Sequence, residues 1–235
     1  MEAHLTRNEE QYTVAGGYDW FWKIFEDGTW EPTTFRIFDQ FLKKDGTMLD
    51  IGAWIGPTAL YAARRTKQVF AFEPDPVAYP ILCKNLDLNK AENVTPYQVA
   101  VSTEFKGIPF GAKTGYGDSM SSQIWAKGDI KVPAIAFTGL IIDTDPDFIK
   151  IDIEGGEKFL FDEHSKMILE SHKPTIHLSL HTPDMQDDLE GFVKAVTDGI
   201  GFYPFFYDEN LKRVELADVF DIGAFNSVVA TFTEI

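Results

Sequence analysis

The chain has 235 residues, 44% of them hydrophobic and 14% aromatic, with 21 basic against 37 acidic side chains for a formal charge of −16. That length and apolar content argue for a single large α/β domain with a full core and against a disordered chain. The acidic balance, with no basic run, argues against a nucleic-acid partner, because phosphate contacts need clustered Lys and Arg. The single cysteine, Cys83, lies in an apolar helical stretch and allows no disulfide within the chain, which fits a reducing compartment. The first residues lack the apolar core of a signal peptide, and no window approaches an apolar membrane span, so the expectation is a cytoplasmic protein with no membrane contact.

Residues 1–16 are polar and read as a loose lead-in, followed by the aromatic run Tyr18-Asp19-Trp20-Phe21-Trp22, expected to cover the core. A helix follows Trp30, with Phe35, Phe38, Phe41 and Leu42 at helical spacing, closed by Lys43-Lys44-Asp45-Gly46. Glu31 and Thr33 stand at its start. They either cap it or, with the free N–H groups there, hold a ligand carboxylate.

Thr47 to Thr58 reads as a buried strand ending on Asp50, a glycine turn, and a helix from Pro57. Gly52 and Gly56 remove side chains where a ligand would press on backbone. The pattern is D-x-G-x-x-x-G; a dinucleotide fingerprint would need glycine where Trp54 stands. A carboxylate two residues before the first glycine repels pyrophosphate and favours a cation, and S-adenosylmethionine carries a sulfonium and an ammonium with no phosphate. The next strand, Gln68 to Phe72, runs into Glu73 about 20 residues past the turn, where an acid can accept both ribose hydroxyls. Ala53, Trp54, Pro74 and Asp75 complete that edge. Pro74 and Pro76 then open a helix over 78–86.

Val94 to Val101 is expected as a third strand, with Ala100 and Val101 edging the adenine. Residues 103–138 break the rhythm and suggest an antiparallel excursion. Within it, 116–122 reads as a mobile surface loop or, alternatively, a substrate-side loop. In Phe148-Ile149-Lys150-Ile151-Asp152, period-two alternation puts Lys150 and Asp152 on one face, and a buried Lys150 needs Glu157 or Asp152 beside it. Asp152 ends its strand as Asp50 ends the first, so neighbouring strands would bring two carboxylates to one crevice. The plainer alternative is that Asp152 caps the next helix, expected through Phe159, Leu160 and Ile168. A fifth strand ends at His181, with His177 and Ser179 on the same face. His181 is placed for proton chemistry, whereas His177 reads as a core residue. A helix over 185–199 and strands over 202–207 and 227–232 finish the chain.

Asp50-Ile-Gly-Ala-Trp-Ile-Gly56, Glu73-Pro-Asp-Pro76, Asn85-Leu-Asp-Leu-Asn89 and Ile149-Lys-Ile-Asp-Ile-Glu-Gly-Gly-Glu157 together resemble the FkbM family of class I S-adenosylmethionine-dependent methyltransferases, over residues 18–182. The resemblance implies an α/β, Rossmann-like doubly wound sheet of seven mostly parallel strands with an antiparallel last strand. It also implies a helical cover over 1–45 and a cofactor-binding methyltransferase domain over 46–235. By the same resemblance Asp50, Gly52, Gly56 and Glu73 bind cofactor, and Asp152 sits by its methionine end or by the substrate. The family acts chiefly on hydroxyls of sugars and natural products, so a small-molecule or glycan acceptor is implied. Many members carry an acid at the end of the fifth strand; here Ser179 and His181 stand there.

The mechanism expected is direct displacement by a substrate hydroxyl, with His181 as general base and Asp152 as orienting acid. A divalent metal held by Asp152, Glu154 and His181 is a second route. A protein that binds S-adenosylmethionine without turning it over is the alternative from another class, and the missing G-x-G-x-x-G weakens a dehydrogenase.

Overall fold

The computed structural model describes residues 2–103, 105–126, 130–185, 188–220 and 226–235. Short apolar strands alternate with helices to build a mixed seven-stranded sheet. In chain order its first part is β1 (Glu2–Arg7), β2 (Glu10–Ala15), α1 (Asp19–Glu26), α2 (Pro32–Phe41), β3 (Thr47–Ile51), α3 (Pro57–Ala63), β4 (Gln68–Phe72), α4 (Ala78–Leu88) and β5 (Val94–Tyr97). An insertion follows, with β6 (Ala100–Ser102), β7 (Gly107–Ala112), β8 (Ser121–Ser122) and β9 (Ile130–Ala136). The chain then runs through α5 (Phe137–Thr144), β10 (Phe148–Ile151), α6 (Glu163–His172), β11 (Thr175–Leu180), α7 (Leu189–Ile200), β12 (Phe205–Asp208) and β13 (Asn226–Thr231). The large sheet has the order β12-β13-β11-β10-β3-β4-β5, and β13 runs antiparallel to both neighbours.

Alternation along the central strands sorts two cores. Leu49, Ile51, Ile149, Ile151 and Leu178 join one, with α5 to α7; Met48 and Phe148 join the other, with α1 to α4. This second face also carries a polar row, since Asp50, Lys150 and His177 lie side by side in register across β3, β10 and β11. The chain thereby places its most costly residues under α2, where Phe38 meets the His177 ring edge-on at 6.5 Å.

Four expectations are corrected. Residues 2–15 form a hairpin instead of a loose lead-in. Asn8 and Glu9, both at positive φ (49° and 65°), make the kind of turn that matches strand twist, and alternate residues Leu5, Tyr12 and Val14 are buried. Arg7 is buried with them, donating to the Phe25 carbonyl at 2.6 Å with its guanidinium 3.9 Å from the Phe35 ring centre. The third strand is not continuous: Val94–Tyr97 pairs with β4, whereas Ala100–Ser102 leaves that sheet to pair with β9 in the order β6-β9-β7-β8. The helix after Asp152 splits into a short turn at Gly156–Phe159 and α6, because Asp162 and Ser165 form a reciprocal cap that starts a new helix. The last helix begins at Leu189, since Thr182–Met185 is a separate turn; residues 186 and 187 of the expected span lie outside the described residues. Among the described residues no helix is long and apolar enough to cross a membrane.

Gly52 is what lets β3 and β10 close together at their ends. It has φ +83°, and a Cβ there would stand 1.8 Å from the Asp152 carbonyl oxygen. Gly52→Ala is expected to destabilise the fold by about 3 kcal/mol, from the left-handed backbone and the forced separation of the strand ends. Urea unfolding of the two proteins checks this; a loss within error of zero would contradict it.

Candidate active site

The carboxyl ends of β3, β4, β10 and β11 open onto a cavity of about 390 Å³, the size of a small-molecule site. One end of it is organised by Glu73, which is buried at the end of β4. Its Oε2 accepts from the Trp54 N–H at 2.8 Å and its Oε1 from the Asp75 N–H at 2.7 Å. Both oxygens are thus fixed by backbone, with lone pairs left for a ligand. Burial pushes the Glu73 pKa up to about 7, against the two backbone hydrogen bonds that favour its charge.

Ala53, Trp54 and Pro74 line the cavity beside Glu73, and Ala100 and Val101 line it further on with Ile108 and Phe110. This apolar slot suits a planar ring. Trp54 is held at φ +48°, and its indole N–H donates to the Gly117 carbonyl at 3.0 Å. Asp75 does not reach the cavity. Its Oδ1 caps the start of α4 through Val77 and Ala78, and its Oδ2 accepts from the Gly117 N–H at 2.8 Å and the Ser121 hydroxyl at 2.7 Å. The run over 116–122 is therefore tied to the site, with residues 118–122 on the cavity wall. The plainer reading as a free surface loop is corrected. The signal in the sequence was Asp75 itself, a buried acid with more acceptor capacity than its own helix start uses.

Asp50 and Gly56 also lie behind the wall. Asp50 is fully buried, accepting from the Thr58 hydroxyl at 2.7 Å, and Gly56 packs where a Cβ would meet Leu82 at 2.7 Å. Gly52 is on the wall, yet its lack of a side chain answers the Asp152 carbonyl, not a ligand alone.

The opposite end centres on Lys150. Its ammonium donates to the Gly52 carbonyl at 2.9 Å and lies 3.4 Å from both Asp50 Oδ1 and Asp152 Oδ2. Burial opposes its charge, but Asp152, Asp50 and Glu31 outweigh burial and hold its pKa above the usual lysine value. The expected partner Asp152 is therefore present, joined by Asp50 rather than Glu157. Lys150 in turn keeps the Asp152 pKa low in spite of burial. Glu31 and Thr33 reach the same end from the start of α2, where Glu31 takes a left-handed φ of 41° ahead of Pro32. Burial and the nearby Asp152 push the Glu31 pKa to about 7.

Asp152 caps no helix through its side chain. Its Oδ1 lies 3.4 Å from His181 Nε2, and Glu154 Oε2 lies 3.5 Å from the same nitrogen. His181 Nδ1 meets Glu157 Oε1 at 2.8 Å. Although burial works against the imidazolium, Glu157, Asp152 and Glu154 drive the His181 pKa up to about 10. These acids favour the charged ring, and a further cation beside the cluster would work against it. Burial likewise raises Glu154 to about 8. Ser179 lines the cavity alongside His181, and Ser227, its partner in register on β13, joins it; nothing in the sequence marked that serine.

His177 stays in the core, as expected, but unsatisfied: neither ring nitrogen has a hydrogen-bond partner. Burial, and then Lys150, lower its pKa to about 4. Because the native state binds a proton there less readily than the unfolded chain, this residue costs stability as pH falls from about 6.5 toward 4. His177→Leu is expected to stabilise the protein by about 1 kcal/mol at pH 7 and to flatten its loss of stability over that acid window. Thermal unfolding at pH 7 and pH 5 tests both; a destabilised variant with an unchanged acid slope would contradict the account.

The family model for the methyltransferase FkbM domain matches residues 50–202. A hexuronic acid methyltransferase of Haloferax volcanii is 25% identical over 160 residues, covering 67% of this chain and 65% of that protein, so the match spans just under two thirds of the relative's length. Among solved structures, precorrin-6y C5,15-methyltransferase of Geobacter metallireducens is similar at a TM-score of 0.46 and 16% identity, covering 86% of this chain and 87% of that one. M. jannaschii TYW2 in complex with AdoMet is similar at 0.47 and 15%, covering 98% and 84%.

Proposed function

We infer, for a chain that belongs to the FkbM methyltransferase family, the transfer of a methyl group from S-adenosylmethionine to a hydroxyl oxygen of a sugar or natural product. The observation that carries this reading is Glu73, whose two oxygens are each pinned by a backbone N–H at the edge of an apolar slot and face it with unused lone pairs. That arrangement suits a ribose diol beside an adenine. The acids at the other end, Asp152 and Glu31 with Asp50 behind them, suit the cationic methionine end, and the first turn of α2 with Thr33 suits its carboxylate. When bound, S-adenosylmethionine supplies an electrophilic methyl carbon, and the carbon–sulfur electron pair stays on sulfur as the methyl leaves.

The residues of this chain do the rest. Strand ends fix the two halves of the cavity relative to each other, which is the positioning that displacement needs. His181 and Asp152 handle the hydroxyl proton, His181 becoming a competent base when positive charge beside the cluster lowers its proton affinity. A sugar acceptor draws support from the Haloferax relative, which acts on a hexuronic acid. Asp118, Glu154 and Glu209 on the cavity wall disfavour a phosphate-rich acceptor such as nucleic acid.

Calorimetric titration with S-adenosylhomocysteine tests the donor site. Glu73→Ala is expected to weaken binding about 100-fold, two charge-assisted hydrogen bonds' worth. Since only the carboxylate form accepts both hydroxyls, wild-type affinity is expected to fall as pH drops from 8 to 6, by at most about tenfold per pH unit from Glu73, and the variant is expected to show a shallower slope, the remainder coming from Glu31. Asp75 and Lys150 face Glu73 electrostatically, and Lys150, held above the usual lysine value, stays charged across this range. Equal affinity in the variant would remove the donor-site reading. For the proton step, His181→Ala is expected to cut methyl transfer at least about 100-fold with little change in homocysteine-form binding, and full activity would exclude His181.

A further inference from the structure

Asp152, Glu154 and His181 each offer one ligand atom, these atoms all lie within 4.8 Å of one another, and all three residues line the cavity. The atoms around them are arranged to keep them so. Asp152 Oδ2 is held by Lys150 at 3.4 Å, which leaves Oδ1 for the cluster. Glu157 is fully buried; its Oε1 accepts from the Ile153 N–H at 3.1 Å and meets His181 Nδ1 at 2.8 Å. That contact assigns the proton to Nδ1 and turns Nε2 toward Asp152 and Glu154, the outer arrangement that orients metal-binding imidazoles. The remaining oxygen of Glu157 is buried with no hydrogen-bond partner, so an acceptor beside His181 is left unused.

Resting on the methyl-transfer reading, we propose that Asp152, Glu154 and His181 bind a divalent cation of the magnesium or manganese type, which holds the acceptor hydroxyl and makes its proton easier to lose. Two carboxylates with one imidazole form a donor set for such an ion, and an opening onto the cavity leaves positions for a hydroxyl. This refines the proton step above: with the cation bound, His181 is a ligand through Nε2, the cation prepares the hydroxyl in place of the imidazole, and the loss of transfer expected in His181→Ala becomes the loss of a ligand. In the transfer the acceptor oxygen gains the methyl carbon, sulfur keeps the former carbon–sulfur pair, the hydroxyl proton leaves to water, and the cation keeps its oxidation state.

The test takes the full chain, stripped with chelator, and titrates it with manganese chloride alone, reading free Mn²⁺ by electron paramagnetic resonance. S-adenosylhomocysteine binding is measured separately by calorimetry. A single Mn²⁺ site competed by Mg²⁺ is expected, weakened about tenfold or more by Asp152→Asn and by Glu154→Gln. Homocysteine-form binding should persist in Glu154→Gln, which shows that the fold survives. No Mn²⁺ bound by the wild-type chain, or unchanged affinity in both variants, would overturn the proposal. Manganese binding without homocysteine-form binding would keep the cation site and remove the methyltransferase reading; the reverse would remove only the cation site.

Discussion

A buried ammonium is the constraint around which this molecule is arranged. Lys150 sits in the middle of the central sheet, where an uncompensated charge would be prohibitive. Three groups from different parts of the chain answer it: Asp50 from β3, Asp152 from the end of its own strand, and the Gly52 carbonyl from the turn. Satisfying Lys150 therefore fixes the register of β10 against β3 and the path of the glycine turn in one stroke. It also orients Asp152, so the acid that faces the cavity does so with one oxygen already committed. The Glu73 end and the His181 end of the cavity are coupled through this single side chain, which holds the Gly52 turn on one side and Asp152 on the other.

The N-terminal segment is fastened to the same frame by amides. Asn85 is buried on α4, donating to the Ile55 carbonyl at 2.8 Å and accepting from the Ala15 N–H at 2.7 Å. Asn89 accepts from the Thr13 N–H at 3.0 Å and donates to the Thr13 carbonyl at 2.6 Å. These two side chains stand in for a strand along the free edge of β2, which would otherwise be left open to pairing with other chains. Tyr18 and Phe21 then close on Trp54, with ring centres 5.6 and 4.5 Å away, so the aromatic cover buttresses the glycine turn itself.

Much of this was legible in the residues. The strand–turn–helix around Gly52, the acid at Glu73, the alternation that paired Lys150 with Asp152, and the placement of His181 all follow from local rules of period and chain direction. What escaped reading depended on distant partners. The hairpin over 2–15 hid behind polar composition, because its buried face includes Arg7, whose cost is met by rings of α1 and α2. The break after Tyr97 depends on β9, more than thirty residues later, offering Ala100–Ser102 a different sheet. Asp75 and Gly56 stand in motif positions but act through packing and a hidden hydrogen-bond set, which spacing alone does not distinguish from ligand contact. The same holds for Gly52: the sequence signals a forbidden side chain, and only the folded chain says which atom forbids it.

The floor and the wall of the cavity have separate origins. The floor is made by ends of the large sheet, locked in place through Lys150. The wall over Ile108, Phe110 and residues 118–122 belongs to the β6–β9 insertion, which forms its own small sheet and is tethered to the frame by Asp75 and Trp54. Such a division gives the cavity two walls that fold as separate hydrogen-bonded sheets. Val101 of the insertion packs into the same core as Leu49 and Ile149, so the two sheets meet through side chains as well as through the tether at Gly117. In a protein built this way, the slot beside Glu73 takes its floor and its far wall from two separately paired sheets, so its width is set by how the tether at Gly117 seats one against the other.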